Sequence, residues 1–175
     1  MTFDKRKVVY QIYPKSYKDT TGNGIGDLQG IIEKIPYLAK LGVDMVWLNP
    51  FYPSPQHDNG YDISDYTAVN PLFGSMDDFE EMIQVGKEYG IEFMLDMVLN
   101  HCSTEHEWFQ KALAGDNYYQ DFFFLRDEPT DWLSKFGGSA WAPFGDTGKY
   151  YLHLYDVTQA DLNWHNPHVR EELFK

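Results

Sequence analysis

Asp27-Leu-Gln-Gly-Ile-Ile-Glu-Lys-Ile-Pro-Tyr-Leu-Ala-Lys-Leu-Gly-Val-Asp-Met-Val-Trp-Leu48 is the stretch on which the fold turns. Leu28, Ile31, Ile32, Ile35, Leu38 and Ala39 recur at the spacing of one helical face, and Gly42 supplies a stop signal. The period then changes. Residues 43–48 form a short apolar run that reads as a buried strand. Pro36 has no N–H to offer the carbonyl of Ile32, so a kink or a helix in two pieces is expected.

Residues 8–12 upstream and 91–99 downstream have the same strand character. Between the second and third runs, Ser75 and Asp78 stand at capping-box spacing, and Phe79, Met82, Ile83 and Tyr89 carry a second apolar stripe that ends at Gly90. Strands that alternate with crossover helices imply a parallel sheet covered by helices, either doubly wound or closed into a barrel. The glycine-rich segment Asp19-Thr-Thr-Gly-Asn-Gly-Ile-Gly-Asp27 lacks the spacing of a dinucleotide fingerprint and has no Lys-Ser/Thr pair for a phosphate loop.

Beyond the third run the pattern loosens. Thr104 with Glu107 reads as the cap of a short helix ending at Leu113, and residues 118–149 are aromatic, glycine-bearing and aperiodic, as a loop-rich insertion is. Asn166 followed by Pro167 is the start of another helix. The expected organisation is three strand–helix units over residues 1–103, an inserted subdomain over 104–165, and a return to the first architecture over 166–175.

The composition supports a packed core: of 175 residues, 43% are hydrophobic and 17% aromatic. Twenty-seven acidic against fourteen basic residues give a net charge of −13, a field that repels nucleic acid and anionic membrane surfaces. The single cysteine, Cys102, excludes an internal disulfide, and the start at residues 1–7 runs into too short an apolar stretch for a signal peptide. A cytoplasmic location is expected, with no membrane span.

Reactive groups in parallel α/β architectures gather at the carboxyl ends of strands. The second run leads into Asn49-Pro-Phe-Tyr-Pro-Ser-Pro-Gln-His-Asp-Asn-Gly-Tyr-Asp62, and the third contains Asp96-Met-Val-Leu-Asn-His101. Aromatic rings beside carboxylates and amides suit a sugar, which stacks its apolar ring face and offers hydroxyls to charged acceptors. Tyr61 and Asp62 equally suit a turn, and a histidine such as His101 taken alone is more often a structural hydrogen-bonder. In the 19–27 loop, Asp19, Thr21, Asn23, the Ile25 carbonyl and Asp27 alternate as in a calcium loop, or make a tight polar turn.

Taken together, these segments resemble the α-amylase family of glycoside hydrolases, family 13. The resemblance is carried by Val9-Tyr-Gln-Ile-Tyr-Pro-Lys-Ser-Tyr17, the 19–27 loop, Asp58-Asn-Gly-Tyr-Asp62, Asp96-Met-Val-Leu-Asn-His101, Phe136-Gly-Gly-Ser-Ala-Trp141 and Gln159-Ala-Asp-Leu-Asn163, in the family's order. It implies an α/β fold, the N-terminal part of a (β/α)8 TIM barrel with a loop-rich subdomain inserted after strand 3. By the same resemblance Tyr61 stacks on the glucosyl ring, Asp62 binds its hydroxyls, His101 bonds the hydroxyl at the sixth carbon, and Phe136 and Gln159 line the cleft. The family's oligosaccharide-cleaving members often hold a structural calcium in the loop that matches Asp19, Thr21, Asn23, Ile25 and Asp27. Thr21 departs from their usual amide or carboxylate. No cofactor is implied for catalysis.

Within the family, Lys15-Ser-Tyr, Asp19-Thr-Thr-Gly, Phe51-Tyr-Pro-Ser-Pro-Gln and Gln159-Ala-Asp-Leu-Asn-Trp164 look most like phosphotrehalases, which split trehalose 6-phosphate into glucose and glucose 6-phosphate. Oligo-1,6-glucosidases and dextran glucosidases share most of this but more commonly carry proline where Ala160 stands. Lys15, His57 and Lys135 are candidates for the phosphate on charge alone. Retaining glycosidases use two carboxyl groups about 5 Å apart. In the family these follow strands four and five, so the resemblance puts both beyond Lys175 and implies that the chain alone is inactive. It gives Asp96 a structural position. The expectation is a piece of a hydrolase, and the alternative is a short sugar-binding protein without catalysis. An unpaired parallel edge would favour self-association of the isolated chain.

Overall fold

The computed structural model describes residues 6–175, so most of the basic start read at residues 1–7 lies outside the described residues. The chain forms two compact units. The first runs up to Pro53 and resumes over Thr67–Met97; the second comprises Ser54–Tyr66 and Val98–Lys175.

In the first unit, β1 (Val9–Ile12), β2 (Met45–Leu48) and β3 (Glu92–Leu95) form a parallel sheet in the order β1-β2-β3, with Tyr10 opposite Val46 and Val46 opposite Phe93. A short helix α1 (Pro14–Tyr17) follows β1, α2 (Leu28–Leu41) crosses to β2, and α3 (Met76–Glu88) crosses to β3. Each start and stop has a local cause. Asp27 caps α2 by accepting from Gly30 N at 2.7 Å, and Gly42 closes it at φ 88°. Ser75 and Asp78 make the expected capping box on α3.

The apolar face of α2 is fully buried at Leu28, Ile31, Ile35 and Leu38. Of the two alternatives expected, the helix in two pieces is not found: α2 runs continuously through Pro36. Pro36 sits on the exposed side, so its ring does not intrude on that face, and burial of four large side chains outweighs the one lost hydrogen bond. Gly30 lets α1 and α2 approach: a Cβ there would lie 2.1 Å from the Lys18 carbonyl oxygen. The third strand ends at Leu95, earlier than its apolar run suggests.

In the second unit, β4 (His101–Ser103) pairs antiparallel with a late strand, Gln159–Asp161, which is β8. Helices α4 (Glu107–Leu113) and α5 (Asn117–Gln120) follow β4. Then β5 (Leu125–Arg126), β6 (Trp141–Pro143) and β7 (Tyr150–Leu152) form an antiparallel sheet in the order β5-β7-β6. The chain closes on α6 (Pro167–Leu173), capped by Asn166 with Pro167 in its first turn, as expected.

Two readings need correction here. The cap of α4 is His106, whose Nδ1 accepts from Trp108 N at 3.1 Å, not Thr104 with Glu107. Residues 118–149, read as aperiodic, contribute β5 and β6 to a small sheet that β7 completes. Its strands are two or three residues long, too short to show a period, and aromatic edge contacts such as Phe109–Phe144 and Phe109–Tyr151 do the packing. Among the described residues no helix is long and apolar enough to cross a membrane.

Candidate active site

The second unit holds Tyr61, Asp62, His101, Phe136 and Gln159 together. Asp62 ends the turn that begins at Asp58, where Tyr61 N donates to the Asp58 carbonyl at 3.0 Å. Its buried carboxylate accepts from Ser54 Oγ at 2.9 Å, His57 N at 2.9 Å and Asp58 N at 3.1 Å. A carboxylate has about four acceptor sites, so three such bonds leave one. Two residues near the turn, Gln56 at φ 66° and Asn59 at φ 50°, are the non-glycine residues with left-handed backbone among those described. Gln there is unfavourable, so the surrounding bonds must hold it.

His101 begins β4 and is buried. Its Nε2 lies 3.0 Å from the Tyr61 carbonyl, which can only accept, so Nε2 carries the proton. Nδ1 then accepts from Asn100 Nδ2 at 3.2 Å. Burial holds the imidazole below its ordinary pKa, against the pull of the Tyr61 carbonyl and of Asp161, Asp58 and Asp62, so the ring is neutral at pH 7. Asn100 also donates to Asp161 Oδ1 at 3.1 Å, while Asp161 Oδ2 accepts from Leu154 N at 2.7 Å. Burial raises the Asp161 pKa despite those donors.

Tyr155 packs on the His101 ring at 5.3 Å, and Phe136, largely exposed, meets Tyr155 edge-on at 6.0 Å. Gln159 is fully buried, with Nε2 donating to Asp58 Oδ2 at 2.8 Å and Oε1 accepting from Asp156 N at 2.9 Å. Sequence reasoning did not single out Ser54, Asn100, Tyr155 or Asp161 as part of this network. Ser54, Asn100 and Asp161 stand inside quoted motifs, but nothing local marks Tyr155. Of the phosphate candidates, His57 has Glu105 3.8 Å from its Nε2, an anion that would compete with a phosphate.

The 19–27 loop belongs to the first unit. Asp19 accepts from the backbone N–H groups of Thr21, Gly22 and Gly24, each at 2.8 Å, and the Gly24 contact leads in holding its carboxyl below the usual range. Asn23 Oδ1 accepts from Ile25 N, and Asp27 accepts from Thr20 N as well as capping α2. The loop's oxygens thus close it on itself while keeping lone pairs, and an ionised Asp19 with hydroxyl, amide and carbonyl oxygens is the hard donor set that calcium takes. Among the described residues no group of three or more His, Cys, Asp or Glu side chains is arranged to hold a metal.

The first unit carries a parallel three-stranded sheet with crossover helices, and the second a tyrosine–aspartate turn hydrogen-bonded to a neutral histidine, which together define an α/β protein. The chain belongs to the alpha-amylase family: the family's description "Alpha amylase, catalytic domain" matches residues 11–175. Its fold is the N-terminal part of that family's (β/α)8 barrel. It is 55% identical over 173 residues to trehalose-6-phosphate hydrolase of Escherichia coli (strain K12), a match covering 96% of this chain and 31% of that protein. It is 50% identical over 177 residues to oligo-1,6-glucosidase of Parageobacillus thermoglucosidasius, covering 98% and 32%. The crystal structure of Bacillus licheniformis trehalose-6-phosphate hydrolase superposes with a TM-score of 0.94 at 55% identity, covering 97% of this chain and 32% of that one. The chain spans about a third of the length of the curated relatives it matches.

Proposed function

We propose that the chain forms part of a retaining α-glucoside hydrolase that splits trehalose 6-phosphate into glucose and glucose 6-phosphate, in the breakdown of trehalose. The observation that carries this is the hydrogen-bonded Tyr61–His101 pair beside Asp62, in a chain 55% identical to a trehalose-6-phosphate hydrolase. Tyr61 presents its ring to the glucosyl unit. Asp62 offers its remaining acceptor site to a hydroxyl, and a hydroxyl at the sixth carbon shares the His101 Nε2 proton with the Tyr61 carbonyl. Phe136 adds an exposed ring to the same unit. The two carboxyl groups that break the bond lie outside residues 1–175 on this reading, so residues 1–175 alone turn over no glucoside.

The same reading places the protein in the cytoplasm, in keeping with one buried, unpaired cysteine, Cys102. It gives the 19–27 loop a structural calcium held by Asp19, Thr21, Asn23, the Ile25 carbonyl and Asp27, where it would tie α1 to the start of α2. Oligo-1,6-glucosidase activity is the second reading, favoured by 50% identity to such an enzyme. The test is the protein translated from the whole reading frame, assayed on trehalose 6-phosphate and isomaltose. A higher kcat/KM on trehalose 6-phosphate is expected; a higher value on isomaltose moves the assignment to the second reading, and a stop codon directly after Lys175 to a non-catalytic sugar-binding protein.

A further inference from the structure

Gln159 reads from the sequence as a wall of the sugar cleft, yet both polar atoms of its side chain are engaged within the protein. Its hydrogen bonds point elsewhere. Nε2 donates to Asp58 Oδ2 at 2.8 Å, across 101 residues of sequence, and Oε1 accepts from Asp156 N at 2.9 Å. Asp58 is the first residue of the turn that carries Tyr61 and Asp62: its carbonyl accepts from Tyr61 N, and its own N–H donates to Asp62 Oδ1. The turn needs an anchor from outside. Gln56 and Asn59 both have left-handed backbone, and both polar atoms of the Gln56 carboxamide are buried without a hydrogen-bond partner. A segment with those features relaxes unless the structure around it over-determines it.

The strand β8 supplies that anchor twice. Gln159 and Asp161 are two apart, so their side chains leave the same face of the strand. Gln159 holds Asp58, and Asp161 accepts from Asn100, whose amide also donates to His101 Nδ1. One strand therefore sets both halves of the sugar site, the turn through Gln159 and the histidine through Asn100. We infer that Gln159 is a positioning residue, acting through Asp58 to hold Tyr61 and Asp62 in register with His101, and that it does not touch the sugar. The inference rests on the proposed glucoside-hydrolase reading of this site.

Chemistry offers a swap that isolates the bond. Gln159→Glu keeps the acceptor for Asp156 N but sets a carboxylate against Asp58, with no donor between them. Asp58→Asn added to it restores a hydrogen bond with donor and acceptor exchanged, and restores the net charge. In the protein from the whole reading frame, kcat/KM is measured on trehalose 6-phosphate and isomaltose, and hydrogen exchange at the 54–62 amides. Gln159→Glu should lower kcat/KM about tenfold to a hundredfold and speed exchange at Tyr61 and Asp58 N–H, with the double variant recovering most of both. Unchanged exchange and kinetics in Gln159→Glu overturn the inference, as do faster exchange with wild-type kinetics and a double variant no better than the single one. A wild-type protein inactive on every glucoside is a different failure, that of the underlying reading. It is recognised because exchange still responds to the swap.

Discussion

His101 Nε2 donates to the backbone carbonyl of Tyr61 at 3.0 Å, tying a histidine on β4 to the turn that bears the tyrosine ring. Because the bond is to main chain, it survives changes in the tyrosine side chain and is lost with the imidazole. His101→Ala should therefore take a donor from the Tyr61 carbonyl and an acceptor from the Asn100 amide, which keeps its bond to Asp161. An unfolding cost of about 1–3 kcal/mol is expected for such a buried loss, read from denaturant midpoints. In the protein from the whole reading frame kcat/KM should fall about a hundredfold or more, since the sugar loses an orienting bond. Wild-type kinetics with the fold intact would return His101 to a purely structural role.

Asp62 and Tyr61 should separate on substitution although they are neighbours. Asp62→Ala removes the acceptor for Ser54 Oγ and two backbone N–H groups, so the turn loosens and kcat/KM drops about a hundredfold or more. Tyr61→Phe keeps the stacking face and should cost much less. Steady-state kinetics on trehalose 6-phosphate decide it, and equal losses in the two variants would argue against stacking as the role of Tyr61.

His106 should mark the acid limit of the second unit. Burial pushes its pKa to about 4 from 6.5, against Asp65 and Glu107, and its Nδ1 must stay unprotonated to cap α4. Between those two pH values the unfolded chain binds a proton that the folded chain refuses, so stability falls as pH drops from about 6.5 to about 4 and is unaffected above that window. The full loss is on the order of 3 kcal/mol. His106→Asn keeps a capping oxygen without the titration, so its stability should be flatter over the same range in urea titrations at stepped pH.

The sequence showed most plainly what local chemistry decides. Asp27 and Gly42 bracket α2, Ser75 and Asp78 box α3, and Asn166 with Pro167 starts α6, because a cap needs only residues within one turn. The β5-β7-β6 sheet was hidden because strands of two or three residues carry no alternation, and partners such as Leu125 and Tyr151 are set by packing. His106 displaced Thr104 as a cap through its burial against Tyr66 and Trp108, a tertiary choice. The proposed sugar-binding residues Tyr61, Asp62, His101, Phe136 and Gln159 were read from family motifs. Their supports were not: Asn100 and Asp161 meet across 61 residues of sequence, and Ser54 reaches Asp62 only through the way the 54–62 turn folds back.

Calcium should bind the 19–27 loop if its donors act together. Melting temperature is expected to rise with added calcium and fall back with a chelator, since a ligand that binds only the folded state stabilises it. Asp19→Asn should abolish the difference, as Asp19 gathers the loop's N–H groups and supplies its exposed charge. Identical melting of wild type with and without calcium would leave the segment as a polar turn.

The last expectation concerns residues 1–175 on their own. The sheet order β1-β2-β3 leaves β1 and β3 at its edges, with parallel ladder groups on each that no further strand of this sheet takes up among the described residues. Apolar side chains stand exposed along both: Val8 at 53% and Val9 at 39% on one side, Met94 at 37% and Met97 at 49% on the other. An open edge flanked by such side chains is a template for pairing, which natural sheets blunt with charge. The isolated chain should therefore self-associate with rising concentration in light scattering, despite a net charge of −13 that opposes it. Added salt screens that charge and should strengthen association, whereas association driven by ion pairs would weaken. Val9→Lys and Met94→Lys, each placing a cation on an edge strand, should shift the chain towards monomer. A wild-type chain that stays monomeric across the same range of concentration and salt would show that these edges are protected.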